Sequence, residues 1–270
     1  MNKKQIIKFM NEKNFYPSKK MGQNFLLSDD YKKRIVDAAN IKESDFVLEI
    51  GAGFGAISDY IISKTKNFTI IEFDKRLFEF LLNKFNGSSI ELINSDILKV
   101  DINNLLNQKD GTSKKVISNL PYSISSQVII NLIKSKNVDD MFLMVQTEMA
   151  NRIISKPNSK KYNGYTVLIN LLADVKKLFD VPPTVFYPEP NVYSTVIQIT
   201  PKKTSIDIES IEKFLKLLFS EKRKKISNNL KKNYSIDKLT KAYVKCNIQD
   251  DVRAEQLSPQ QILSLYEELM

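Results

Sequence analysis

The 270-residue chain contains no histidine. This absence excludes nucleophilic catalysis by a Ser-His or Cys-His pair and every histidine-based metal site, and we predict no bound metal. The single cysteine, Cys246, excludes an internal disulfide and suits a reducing compartment. No apolar run approaches the roughly 20 residues of a membrane span, and no apolar signal core follows the basic N-terminus. These absences predict a cytoplasmic protein that does not enter a membrane and whose catalysis does without an imidazole.

Positive charge, by contrast, is abundant. Lys and Arg number 41 against 31 Asp and Glu, which gives a formal net charge of +10. Such a charge favours a polyanionic partner, either nucleic acid or an acidic membrane surface. The hydrophobic content of 42% with 27% charged residues is typical of a soluble globular protein with one or two domains.

Apolar runs and helical periodicity alternate along the first 200 residues. The apolar runs predict buried strands at 46–50, 68–72, 90–94, 116–118, 141–146, 173–179 and 195–200. Helical segments between most of these runs predict a parallel, doubly wound α/β sheet. After Pro201 only helical periodicity continues. We therefore predict a first domain over residues 1–201 and a small all-helical domain over residues 202–270.

The first predicted strand runs into a glycine turn at residues 51–55, with the sequence Gly-Ala-Gly-Phe-Gly. Glycine permits a tight turn and a close approach of the backbone to a ligand at the carboxyl end of a strand. The spacing fits a dinucleotide fingerprint as well as an S-adenosylmethionine site, so the glycines do not choose between them. Glu49 favours S-adenosylmethionine, because a carboxylate suits the ammonium and sulfonium of that cofactor and not a pyrophosphate.

Two further acidic residues follow the next two predicted strands. Glu72 is placed to accept hydrogen bonds from ribose hydroxyls with either cofactor. Asp96 is placed to accept a hydrogen bond from the amino group of the cofactor adenine. The ordinary alternatives are a helix cap for Asp96 and solvated charges for Glu49 and Glu72.

A short segment after a fourth strand, Ser-Asn-Leu-Pro-Tyr at residues 118–122, combines an amide, a rigid turn and an aromatic ring. The Asn119 side chain can both accept and donate a hydrogen bond. Pro121 disfavours the helical region for Leu120, so the carbonyls here point outward. Tyr122 offers a face on which a nucleobase can stack. This set suits chemistry on the exocyclic amine of a base; the alternative is a strand-to-helix turn in which Asn119 caps the helix and Tyr122 fills the core.

Four segments occur in order along the chain: Gly-Gln-Asn-Phe at 22–25, Glu-Ile-Gly-Ala-Gly-Phe-Gly at 49–55, Asn-Leu-Pro-Tyr at 119–122 and Phe-Tyr-Pro-Glu-Pro at 186–190. With them, nearly the whole sequence resembles the KsgA family of small-subunit rRNA adenine N6,N6-dimethyltransferases. The resemblance implies a Rossmann-like class I methyltransferase fold with a small C-terminal helical domain. It also implies methyl transfer from S-adenosylmethionine to N6 of two adjacent adenosines in the 3′-terminal hairpin loop of small-subunit rRNA.

The resemblance assigns roles to individual residues. The implied cofactor-binding residues are Asn24, Leu26, Glu49, Gly51, Gly53, Glu72, Asp96 and Asn119. The implied catalytic residues are Asn119, Leu120, Pro121, Tyr122 and Phe186. Asn119 would lie beside the methyl group and the target amine, and Tyr122 and Phe186 would sandwich the flipped adenine.

The implied partners are small-subunit rRNA and the assembling small ribosomal subunit, with the protein acting as a monomer. Basic residues of the helical domain, with Lys19, Lys20 and the 156–161 loop, would hold rRNA phosphates. The alternatives are an Erm-type enzyme acting on large-subunit rRNA, a non-catalytic binding protein and an NAD-dependent oxidoreductase. The 186–190 and 223–230 segments favour the small-subunit enzyme, the intact 119–122 segment argues against a binder, and no proton-transfer residue suits the oxidoreductase.

Overall fold

The computed structural model describes residues 1–18, 22–222 and 224–270. Its strands are β1 (Phe25–Leu26), β2 (Phe46–Ile50), β3 (Phe68–Glu72), β4 (Glu91–Asn94), β5 (Lys114–Asn119), β6 (Asp140–Gln146), β7 (Ala173–Val181), β8 (Phe186–Tyr187) and β9 (Ser194–Pro201). Its helices are α1 (Lys3–Glu12), α2 (Asp29–Ala38), α3 (Ser58–Ile61), α4 (Lys75–Lys84), α5 (Ile102–Asn107), α6 (Ser125–Lys134), α7 (Thr147–Ile153), α8 (Gly164–Leu172), α9 (Ile208–Leu218), α10 (Ile226–Leu230), α11 (Ile236–Lys245) and α12 (Pro259–Leu269).

Seven strands form one sheet in the order β4-β3-β2-β5-β6-β9-β7. Strands β2 to β6 pair in parallel, as the alternating pattern predicted. Strand β9 runs antiparallel to β6, so the prediction of a parallel sheet is wrong for this strand. The chain enters β9 where Ser194 pairs with Gln146, at the carboxyl end of β6, and therefore runs back along β6.

Burial of the central strands fixes where the loops meet. Every residue of β2 and β3 is buried, which is typical of parallel strands covered on both faces. Helix α4 is capped by Asp74, whose side chain accepts a hydrogen bond from the Arg76 N–H, and the helix buries Leu77 and Leu81. The carboxyl ends of β2, β3, β4 and β5 therefore lie side by side on one edge, where open α/β sheets bind ligands.

A two-stranded ribbon that the sequence did not predict joins distant parts of the chain. Strand β1 pairs antiparallel with β8, with Leu26 opposite Phe186. The loop before β1 lies against the 119–122 segment: a Cβ on Gly22 would be 3.4 Å from the Tyr122 nitrogen, and the φ of Gly22 is +62°. Glycine is required there because this backbone conformation and close approach exclude most side chains.

Helix α1 was also not predicted. It begins with a capping box. The Gln5 N–H donates a hydrogen bond to the Asn2 side chain, and the Asn2 N–H donates one to the Gln5 side chain. Its inner side buries Ile6 and Met10. This reciprocal Asn-x-x-Gln spacing was the signal that the sequence offered.

The chain divides into two compact units, Met1–Ala150 with Lys176–Pro201, and Asn151–Val175 with Lys202–Met270. This division differs from the predicted one for residues 151–175, which pack with the C-terminal helices. Helix α8 contacts α9 and α12, and the hydroxyl of Tyr162 donates a hydrogen bond to the Leu257 carbonyl at 2.8 Å. Within the described residues, no helix has the length and apolar character needed to cross a bilayer.

Candidate active site

A cavity of about 540 Å³ opens at the carboxyl edge of the sheet, within the first unit. This volume lies in the usual range for a small-molecule site. All eight predicted cofactor-binding residues line it: Asn24, Leu26, Glu49, Gly51, Gly53, Glu72, Asp96 and Asn119. Residues from the ends of four strands and from the loop before β1 thus meet at one place, and the three carboxyl groups make the cavity suitable for a cationic ligand with donor groups.

Glu49 lies in β2 and is only 2% exposed. The hydroxyl of Ser58 donates a hydrogen bond to its Oε2 at 2.5 Å. Burial raises the pKa of Glu49 to about 8, with nearby Glu72 and Asp59 adding to the rise, while the Ser58 hydrogen bond and the charge of Lys84 oppose it. Oε1 accepts no hydrogen bond from the described residues and is not enclosed, so it remains open to the cavity.

Glu72 ends β3 and is 5% exposed. The backbone N–H groups of Gly53 and Asp74 each donate to one of its carboxyl oxygens at 2.9 Å. Burial raises the pKa of Glu72 to about 7, against the effect of these hydrogen bonds. Each oxygen keeps a second lone pair, so the predicted bonds to ribose hydroxyls remain possible in addition.

The glycine turn holds its shape because it has no room for side chains. Gly53 has a φ of +59°, and a Cβ there would lie 3.1 Å from the ring of Phe25. The neighbouring Gly51 donates its N–H to the Ile71 carbonyl at 2.8 Å. At Gly51 and Gly53 the turn therefore has no side chain between its backbone and the cavity, while Ala52 and Phe54 also line the cavity.

Asp96 caps a short helix and also lines the cavity, so its predicted bond to the cofactor adenine stays a prediction. Its Oδ1 accepts the Leu98 N–H at 3.0 Å and so caps the short 3-10 helix Ile97–Lys99. The same residue lines the cavity. Oδ2 accepts no hydrogen bond from the described part of the chain and remains free for a ligand.

We expect Glu49 to make the ligand-free protein less stable as the pH rises. A carboxyl whose pKa rises from 4.5 to about 8 on folding holds a proton that the unfolded chain releases, so its contribution is lost as pH rises from about 5 to 8. The loss is up to about 1.4 kcal/mol for each pH unit. Measured by urea unfolding, the free energy of unfolding of Glu49→Gln should rise relative to that of the wild type as the pH increases across this window. The exposed Glu79→Gln serves as the matched control, and parallel pH curves for Glu49→Gln and the wild type would contradict the assignment.

The 119–122 segment presents two carbonyl oxygens. The amide nitrogen of Asn119 donates to the Asn24 carbonyl at 3.1 Å, which leaves its Oδ1 as the acceptor. The Leu120 side chain is buried and its N–H donates to the Met144 carbonyl at 3.1 Å. Neither Asn119 Oδ1 nor the Leu120 carbonyl receives a hydrogen bond from the described residues. Both acceptors are thus unfilled, and the neighbouring residues Asn119 and Pro121 line the cavity.

The two predicted stacking rings differ in exposure. The Tyr122 hydroxyl and the Ser194 hydroxyl share a hydrogen bond of 2.8 Å, which fixes the ring, and burial raises the pKa of Tyr122. Phe186 is 3% exposed and packs in an apolar cluster with its ribbon partner Leu26. Leu120, Tyr122 and Phe186 are not among the cavity-lining residues in the described chain. The adenine sandwich therefore stays a prediction.

Sequence reasoning missed several residues of the cavity. Phe73 lines it with a ring that is 58% exposed, and Met1 and Ile6 line it from the N-terminal segment. The position of Phe73 directly after the strand-end acid Glu72 was a usable signal. Ser58 was missed because its importance lies in its contact with Glu49, which is nine residues away in the chain.

A sequence model of the family described as ribosomal RNA adenine dimethylase matches residues 14–270. The ribosomal RNA small subunit methyltransferase A of Ureaplasma parvum serovar 3 is 43% identical over 272 residues, covering 98% of each chain.

Two solved structures share the fold. A dimethyladenosine transferase from Plasmodium falciparum has a TM-score of 0.75 at 25% identity, over 89% of this chain and 95% of its own. The 23S rRNA methyltransferase ErmE has a TM-score of 0.68 at 21% identity, over 91% of this chain and 99% of its own. The predicted class I methyltransferase fold is thereby confirmed. On the family match and the close curated relative together, the chain belongs to the ribosomal RNA adenine dimethylase family.

Proposed function

We propose that the protein uses S-adenosylmethionine to dimethylate N6 of two adjacent adenosines in the 3′-terminal hairpin loop of small-subunit rRNA. The observation that carries this proposal is the pair of unfilled acceptors, Asn119 Oδ1 and the Leu120 carbonyl, at the border of a carboxyl-lined cavity. The near full-length likeness to the Ureaplasma small subunit methyltransferase supports the choice of small-subunit RNA over the large-subunit target of the Erm-type alternative.

The cavity fits the cofactor on its own chemistry. Glu49 Oε1 is a buried acceptor suited to an ammonium group, and Glu72 and Asp96 each keep free lone pairs for ribose hydroxyls and an adenine amine. The exposed ring of Phe73 offers a face for the adenine, while Gly51 lets the backbone approach closely. When bound, S-adenosylmethionine supplies a methyl group on a sulfonium, which needs no further activation.

The target amine is a poor nucleophile, since its lone pair is delocalised into the adenine ring. Two N–H bonds donated to Asn119 Oδ1 and the Leu120 carbonyl would favour a pyramidal nitrogen and aim its lone pair at the methyl group. Both acceptors are preorganised: Asn24 holds the amide, and the Met144 carbonyl holds the Leu120 backbone. Positioning of this kind accounts for a large part of a rate enhancement and requires no strong base, which agrees with a chain that lacks histidine.

A target base must leave its stack, at a cost of a few kcal/mol that aromatic contacts offset. Tyr122 is the ring already fixed for this contact, through Ser194. Phe186 is buried, so its contact with a base requires the β1–β8 ribbon to shift. We propose that Tyr122 and Phe186 sandwich the target base in the RNA-bound state, after the ribbon has shifted.

The RNA would be held by basic residues. The 156–161 loop and the helical unit contribute lysines, and Lys19, Lys20 and Arg223 of the predicted set lie outside the described residues. Binding to phosphates predicts an affinity that falls steeply with salt. We infer a cytoplasmic monomer that acts on the assembling small ribosomal subunit.

Incubation with labelled S-adenosylmethionine and separated, unmethylated small and large subunits tests the proposal. Label in dimethyladenosine near the 3′ end of the small-subunit rRNA is the expected result. Label in large-subunit rRNA would replace it by the Erm-type activity, and binding to RNA without transfer would indicate a non-catalytic relative.

A further inference from the structure

Lys84, the last residue of helix α4, reaches from that helix to the glycine turn. A lysine in the last turn of a helix ordinarily interacts with the final carbonyls of its own helix or with solvent. The Lys84 ammonium instead donates hydrogen bonds to the carbonyls of Phe54 at 2.9 Å and Gly55 at 3.0 Å. It donates a third to the carboxylate of Asp59, in α3, at 2.7 Å. All three donors of the ammonium are therefore used on the turn and the helix that follows it.

The glycine turn is thereby held at two places. From the cavity, Glu72 accepts the N–H of Gly53 at 2.9 Å. From outside it, Lys84 binds the next two carbonyls of the turn, and Lys84 is not among the described residues that line the cavity. Hydrogen bonds on both sides fix how the peptide groups of the turn are oriented, and so fix the backbone that faces the cavity.

The contact with Lys84 explains the third glycine of the turn. Gly55 does not line the cavity in the described chain, unlike Gly51 and Gly53. Its φ is +68°, and a Cβ at this position would lie 3.1 Å from the Lys84 ammonium nitrogen. The first two glycines therefore leave room on the cavity side, and the third leaves room for the lysine.

The charge of Lys84 also acts on Glu49. Burial raises the pKa of Glu49 to about 8, and the negative charges of Glu72 and Asp59 contribute to the rise. The Ser58 hydrogen bond and the positive charge of Lys84 oppose it. Lys84 therefore favours the ionised carboxylate, which is the form that pairs with a cofactor ammonium.

We propose that Lys84 is a positioning residue for the cofactor, because it holds the glycine turn in the shape that receives S-adenosylmethionine without touching the ligand itself. Its charge supports the same binding step through Glu49. This inference rests on the proposed function for the identity of the ligand. It adds to the site a residue that lies outside the cavity and outside the glycine motif.

The first test compares the cofactor affinity of Lys84→Met with that of a matched control, Lys109→Met, by dialysis of labelled S-adenosylmethionine. The Lys109–Glu91 pair has an N–O distance of 2.6 Å and side-chain exposures of 20% and 45%. The Lys84–Asp59 pair has 2.7 Å, 20% and 43%. We expect Lys84→Met to weaken cofactor binding about tenfold or more and Lys109→Met to weaken it less than about twofold, because only Lys84 holds the turn.

The rate of methyl transfer at saturating cofactor provides a second readout. For Lys84→Met it should stay within about threefold of the wild type, because the acceptors of the 119–122 segment are unchanged. The loss then falls on the cofactor KM and not on kcat. Thermal unfolding establishes that each variant is folded, and Lys84→Gln, with the same direction of change expected, replaces Lys84→Met if that variant unfolds at the assay temperature.

A third variant, Asp59→Asn, separates the two carbonyl bonds from the ion pair. It keeps Lys84 on the turn, so we expect its cofactor affinity to fall less than about threefold. The two variants should also move the pH dependence of cofactor binding in opposite directions. Loss of the Lys84 charge shifts the rise in affinity to higher pH by about half a unit, and loss of the Asp59 charge shifts it to lower pH. A lysine that only stabilised the fold would not produce these opposed shifts.

Equal cofactor affinities of Lys84→Met and Lys109→Met would overturn the inference while leaving the proposed function standing. An Asp59→Asn that binds as weakly as Lys84→Met would also overturn it, because the ion pair and not the turn would then carry the effect. Unchanged pH profiles in both variants would remove the action on Glu49. A wild type that does not bind S-adenosylmethionine would instead remove the proposed function.

Discussion

Replacing Asn119 with alanine is expected to abolish methyl transfer while cofactor binding stays close to that of the wild type. The variant loses the Oδ1 acceptor that would orient the target amine, and removal of one preorganised hydrogen-bonding group from a transition state costs about 100- to 1,000-fold in rate. The cavity keeps its three carboxyl groups, which carry the cofactor in our proposal. Single-turnover methylation of the RNA hairpin and calorimetric titration of the cofactor measure the two effects separately.

The control for this prediction is Asn83→Ala, which removes an amide from the exposed surface of α4. Its rate should match the wild type. If Asn119→Ala methylates at a rate near that of the control, the role assigned to Asn119 is wrong, and the Leu120 carbonyl alone would have to orient the amine.

Replacing Glu72 with alanine should weaken cofactor binding by at least about 100-fold, which corresponds to about 3 kcal/mol. The carboxyl accepts the N–H groups of Gly53 and Asp74, and each buried donor left without a partner costs about 1–3 kcal/mol. The ribose acceptor is lost as well. Glu72→Gln should fall between the wild type and the alanine variant, because its amide keeps one acceptor and turns a donor toward the other N–H.

Cofactor titration and thermal unfolding are both needed to check the Glu72 prediction. A folded alanine variant with the expected loss of affinity supports the assignment, and Glu79→Ala on the exposed side of α4 should leave affinity unchanged. A folded Glu72→Ala that binds the cofactor as tightly as the wild type would show that the ribose contact is made elsewhere.

Local patterns predicted the strands, and they placed at one cavity the residues that the structure brings together there. The strands β2 and β3 are buried, and their continuous apolar runs made them predictable. The carboxyl ends of neighbouring parallel strands share one edge of the sheet. Glu49, Glu72 and Asp96 therefore lie close together whenever their strands are neighbours. The glycine turn follows from conformational freedom that no other residue has. These features depend on a few consecutive residues or on a general rule of topology.

The features that the sequence did not predict depend on contacts between distant residues. The β1–β8 ribbon consists of two residues on each side, too few for any periodicity, and it pairs positions 160 residues apart in the chain, Leu26 and Phe186. The burial of Phe186 follows from that pairing. Residues 151–175 likewise join the helical unit through contacts such as Tyr162 with Leu257, which composition does not record.

The ribbon also sets an order in which the site becomes complete during synthesis. Among the described residues, every one that lines the cavity precedes residue 125, whereas the hydroxyl that fixes Tyr122 and the strand that pairs with Leu26 come from residues 186–194. A nascent chain therefore carries the described residues of the cavity long before Ser194 can fix the Tyr122 ring. If Tyr122 holds the target base as proposed, the chain can accept RNA only after the last third of the polypeptide has begun to leave the ribosome, the kind of particle on which the finished enzyme is proposed to act.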